Sequence, residues 1–191
     1  VLAPLALTAL LLGGDDSLLP NYAARLLSPV EDRDYAPRLF PARRTLPIRV
    51  GVVADPMFVT DDQRSIVQEA CAAWAAATRS STGPGLTFAY VPVRRIGDAE
   101  IAFAFGRPAA GTRLTGLTLE RGGWASIDLA VEDGEGEALP RESVRRTATH
   151  ELGHALGIWG HSPDAGDIMA VRPQTDGVSR ADVNTLRIAY R

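Results

Sequence analysis

HELGHALGIWGH, from His150 to His161, holds all three histidines of a 191-residue chain. His150 and His154 are four positions apart. On an α-helix, four residues turn the side chain by about 400° and advance it by about 6 Å. Both imidazoles therefore leave one helical face at a spacing that a single metal ion bridges. Glu151 is offset by about 100° from His150, so it stands beside such an ion without being a ligand. Gly157 follows, a residue free to take a positive φ, end the helix and turn the chain sharply. That turn would bring His161 back from a loop as a third ligand. Asp164 and Asp167 are the fallback ligands just beyond it.

The flanking residues support a helix from about Pro140 to Gly157. With Val144 set to zero and about 100° per residue, Val144, Ala148, Leu152 and Ala155 fall within one arc of about 80°. His150 and His154 lie near about 240° and 280°, and Glu151 near about 340°. The apolar face would pack on a sheet, and the polar face would form the floor of a site. Zinc suits such a donor set: three imidazoles leave a fourth position for water, whose pKa falls to about 7 in favourable sites. Glu151 would take that proton and pass it to a leaving amine, which describes peptide hydrolysis without a covalent intermediate. The competing reading is a helix end with solvated imidazoles. It must place the only three histidines of the chain beside a Glu by coincidence.

Outward from this helix the chain alternates strands and helices irregularly. Ile48, Val50 and Val52 alternate as in a strand. Thr60-Asp-Asp-Gln63 predicts a capping box opening a helix whose inner face is Ile66, Ala70, Trp74 and Ala77. Further strands are expected at Leu86/Phe88/Tyr90, at Ile101/Phe103/Phe105, at Leu117/Leu119 and at Ala125/Ile127/Leu129/Val131. The Gly122-Gly123 turn is expected to close the strand at Leu117/Leu119. A last helix begins at Ser179, with Val183, Leu186 and Tyr190 inward. The class is α+β.

Composition bounds the rest. Hydrophobic residues are 46% and charged residues 23%, so wholesale disorder is excluded. All 20 basic residues are Arg and the net charge is -3. With no basic surplus to neutralise phosphates, nucleic acid is not an expected partner. One Cys excludes an intrachain disulfide framework. Residues 1–13 open on an uncharged apolar run too short for a membrane span; it reads either as the core of a truncated export signal, which implies a secreted or cell-envelope protein, or as an apolar segment that packs on the domain. Residues 14–45, broken by Pro20, Pro29, Pro37 and Pro41, read as a tail or pro-segment-like leader. Residues 46–191 form the expected catalytic domain, taken as a monomer acting on a protein or peptide. The acidic loop Glu132–Glu142 offers oxygen ligands for calcium, although a solvated loop is the preferred reading.

His150–Met169 (HELGHALGIWGHSPDAGDIM) resembles the metzincin zinc proteases, and within them the matrixin branch. The resemblance implies a twisted mixed five-stranded sheet with two long helices and a small C-terminal part holding a Met-turn and a final helix. It implies His150, His154 and His161 as zinc ligands, Glu151 as general base and Met169 as the Met of the turn. It further implies that Thr112–Glu120 is an edge strand pairing with extended substrate. Leu117, Leu119, Leu156 and Pro173 are then expected as substrate-binding residues. The sequence departs from the family in having three residues, not two, between Gly157 and the third His, with Gly160 at the usual ligand position. Ala170, not Tyr, follows Met169. No histidine remains for a second, structural zinc, and Cys71 reads as core rather than as a metal-blocking thiol. The expected activity is that of a zinc endopeptidase. The alternative is a zinc-holding, non-catalytic binding module on the same fold.

Overall fold

The computed structural model describes residues 19–27, 38–39, 46–53, 60–79, 85–107 and 114–190. The apolar segment 1–13 and most of the expected leader lie outside the described residues, as do Thr112 and Arg113. The chain divides into two compact units. One is Arg43–Ala155; the other joins Val1–Ala42 to Leu156–Arg191. No described helix is long and apolar enough to cross a membrane.

Helix α1 spans Ala23–Leu27, and strands β1 and β2 span Arg38–Leu39 and Ile48–Val52. Helix α2 (Asp61–Thr78) follows, then strands β3 (Phe88–Tyr90), β4 (Ile101–Gly106), β5 (Gly116–Arg121) and β6 (Trp124–Ala130). The last elements are α3 (Arg141–Leu156), β7 (Ile158–Trp159) and α4 (Arg180–Ala189). The class is α+β, built on a mixed five-stranded sheet.

In the first unit the sheet order is β3-β2-β4-β6-β5. β2, β3, β4 and β6 run parallel, and β5 pairs antiparallel with β6 at one edge. The hairpin joining β5 to β6 turns at Gly122 and Gly123, whose φ angles are 55° and 92°. A two-residue hairpin of this twist needs a positive φ at both positions, which glycine supplies at little cost. Register fixes which side chains share a face, since partners across a ladder point the same way. Ile101 pairs with Ala125, Phe103 with Ile127 and Phe105 with Leu129, all buried. On β5 the residues sharing that face are Gly116 and Thr118, opposite Leu129 and Ile127. Leu117 and Leu119 fall on the other face and are exposed.

Helix α2 starts where its sequence predicts. The Thr60 hydroxyl accepts the Gln63 amide, and the Gln63 side chain accepts the Thr60 amide at 2.7 Å. Ile66, Ala70 and Trp74 are buried as expected; at the last turn the buried residue is Thr78, with Ala77 half-buried. Thr78 takes that place because its hydroxyl donates to the Trp74 carbonyl and accepts the Leu86 amide. The Trp74 indole N–H donates 2.9 Å to the carbonyl of Thr149, one residue before His150. At the start of α3, Arg141 donates to Asp62, Ser65 and Glu69 of α2. The two long helices are thus joined at the first residue of α3 and again at its middle, which holds the site helix in fixed register.

In the second unit the Asp182 carboxylate is the organising group. It accepts the Tyr22 hydroxyl at 2.7 Å, the Ile168 amide at 3.0 Å and the Ser179 amide at 2.9 Å. The Tyr22 amide also donates to Thr185, and the Asn184 side chain to the carbonyl of Pro20. Tyr22, Ala23 and Leu26 are buried, so part of the stretch read as a leader contributes core here. The sequence signal is faint because only Tyr22 and two apolar residues of the short helix after it carry it. α4 is capped by Ser179 and Asp182, as predicted. Val183 and Leu186 are buried, while Tyr190 is half-buried at the cap. β1 pairs antiparallel with β7, Arg38 opposite Trp159 and Leu39 opposite Ile158.

Candidate metal centre

Helix α3 presents its faces as its phase requires. Val144, Ala148, Leu152 and Ala155 are buried. The His150 and His154 rings meet edge to face, with centroids 4.7 Å apart and planes at 86°. The helix ends at Leu156, and Gly157 follows with φ 133°. β7 occupies the next two positions, and Gly160 then turns at φ 154°. Both angles lie where a Cβ is poorly tolerated. The three residues between Gly157 and His161 are this β7–Gly160 segment.

The ligand-capable atoms of His150, His154 and His161 all lie within 4.8 Å of one another. The group could hold a metal ion. Zinc at about 2.1 Å from each imidazole nitrogen in tetrahedral geometry sets those nitrogens about 3.4 Å apart. The donor set is one that zinc accepts, and atoms within 4.8 Å of one another would close by up to about 1.4 Å to meet it. The two fallback carboxylates are outside the group and engaged elsewhere. Asp164 accepts the Gly166 amide, and Asp167 accepts the Ser162 hydroxyl. The acidic loop makes no second grouping among the described residues. Its Asp133 instead accepts the amides of Glu135 and Glu137, both at 2.9 Å, and so closes its own turn.

Glu151 is buried, and the Thr118 hydroxyl donates to its Oε2 at 2.6 Å. Burial pushes its carboxyl above the ordinary carboxylate value, against the opposing pull of His150 and of the Thr118 hydrogen bond. A raised carboxyl is a better proton acceptor near neutral pH than a solvated one. Sequence reasoning misses Thr118 and its neighbour Gly116. The register of β5 with β6 puts Thr118 on the inner face, where its hydroxyl reaches α3. The available signal is size: Gly116 and Thr118 stand where the neighbouring strands carry Phe, Ile and Leu, and small residues on an inner face mark a close approach.

Leu117 and Leu119 point to the face of β5 opposite Thr118, so their side chains are directed away from Glu151. What β5 offers near Glu151 is its position as a sheet edge. Leu156 is 1% exposed and is a core residue. Pro173 is half-buried. Met169 is fully buried, and its carbonyl accepts the amide of Ser162, the residue after His161, at 2.8 Å. Asp182 holds the same turn through the Ile168 and Met169 amides. The loop that follows His161 is thereby fastened to the Met169 turn and to α4. Cys71 is buried in α2, which pushes its thiol up to about 12, and it belongs to the core. No protein-family model matches the chain, and no curated protein matches it.

Proposed function

We propose that the protein is a zinc-dependent endopeptidase of the metzincin kind, exported and acting as a monomer on protein or peptide substrates. The observation that carries this reading is the convergence of His150, His154 and His161 within 4.8 Å, with the buried carboxylate of Glu151 next to them in sequence. His150, His154 and His161 would hold a zinc ion, which would supply Lewis acidity toward a peptide carbonyl and acidify water. Glu151 accepts the proton of the attacking water and delivers it to the departing nitrogen. The edge of β5 pairs with the backbone of an extended substrate, a mode that selects peptides by conformation before side chain. The turn through Met169, tied to Ser162 and Asp182, keeps His161 from drifting.

Metal removal tests this reading. Dialysis against 1,10-phenanthroline is expected to abolish casein cleavage, and one equivalent of zinc to restore it. Undiminished cleavage by protein shown by metal analysis to be zinc-free would count against it.

A further inference from the structure

The inner face of β5 is cut to the shape of one side chain. A Cβ at Gly116 would stand 2.6 Å from the Thr147 methyl and 2.7 Å from both Cγ and Oε1 of Glu151. No substituent fits there unless both Thr147 and Glu151 move. Two residues on, the buried Thr118 hydroxyl lies 2.6 Å from Glu151 Oε2 and 3.0 Å from the main-chain oxygen of the same residue. One hydroxyl thus touches both the carboxylate and the helix backbone that carries it. Its single proton goes to the closer, charged acceptor. Thr is stiff at χ1, so that proton is presented in a fixed direction. A Glu side chain otherwise has three torsions to order, each with competing wells. Oε1 takes no hydrogen bond among the described residues, so this arrangement fixes one carboxylate oxygen and leaves the other open to accept.

We infer that Thr118 is a positioning residue for Glu151, selecting its rotamer through the hydroxyl while Gly116 provides the clearance. The inference rests on the endopeptidase reading above. Thr118→Val keeps the shape and strand preference and removes the donor; Thr118→Ser keeps the donor. In the zinc-loaded full chain, Thr118→Val is expected to lower kcat for a peptide substrate by about 10- to 100-fold, the usual scale for losing a group that orients a reacting one. KM and zinc affinity should stay within about twofold of the parent on that scale, and Thr118→Ser should recover most of the loss. In crystals of the metal-free protein, Glu151 should occupy more than one rotamer in Thr118→Val and a single one in Thr118→Ser. Parental kcat in Thr118→Val, equal losses in both variants, or a loss confined to KM would overturn the inference and leave the endopeptidase reading standing. A parent that binds zinc and cuts no peptide would overturn that reading, and the role of Thr118 with it.

Discussion

Glu151→Ala is expected to bind one zinc per chain as the parent does and to lose peptide cleavage by about 10²–10⁴-fold in kcat/KM, the range over which a positioned general base acts. The retained zinc follows from geometry, because Glu151 is turned away from the line of His150 and His154 on α3 and is outside the group that could hold the ion. The retained fold follows from Thr118. Its hydroxyl loses the carboxylate but keeps an acceptor at 3.0 Å, the main-chain oxygen of residue 151. No buried donor is then left unsatisfied, which is the usual source of a large folding penalty. Zinc titration calorimetry and steady-state kinetics on the same preparations check both halves. Cleavage within tenfold of the parent would remove Glu151 from the mechanism.

His161→Ala should behave in the opposite way. Removing one of three imidazoles is expected to weaken zinc binding by at least about 100-fold, since ligand count dominates affinity at such a site. Cleavage should fall in proportion at limiting zinc and recover in part at high zinc. Substitution at Asp164 should leave zinc affinity near that of the parent, because its carboxylate accepts the Gly166 amide rather than joining the cluster. Asp167→Ala should instead loosen the turn carrying Met169, visible as a lower Tm. An unchanged affinity in His161→Ala, with a loss in Asp164→Ala, would assign the third ligand to the loop carboxylate.

Much of the arrangement is legible before any coordinates. The phase of α3, the caps at Thr60 and Ser179, and the Gly122-Gly123 hairpin are local features. Each depends on residues within one or two turns of chain, and each occurs where the sequence places it. The alternation of β4 and β6 is equally clear because their inner faces carry Phe, Ile and Leu. β5 defeats the same rule: its leucines face outward and its inner residues are Gly116 and Thr118, chosen for clearance under α3 and not for burial of apolar area. Only register with β6 reveals that, and register is a property of two strands together. The contribution of Tyr22 is hidden for a similar reason. Its partner Asp182 is 160 residues away, and nothing in the Pro-broken stretch around it has a period. Within the metal centre the ligand types and spacing are read from sequence, while the partner that holds Glu151 is not, since it comes from a distant strand.

The most direct test of the central claim is to incubate the zinc-loaded protein with a peptide library in ¹⁸O-water and identify the products by mass spectrometry. A zinc endopeptidase gives internal cuts whose new carboxyl termini carry ¹⁸O, absent from a parallel incubation with the chelator. One zinc bound per chain beside an intact library would contradict that claim, and would identify the three histidines as the centre of a metal-holding binding module.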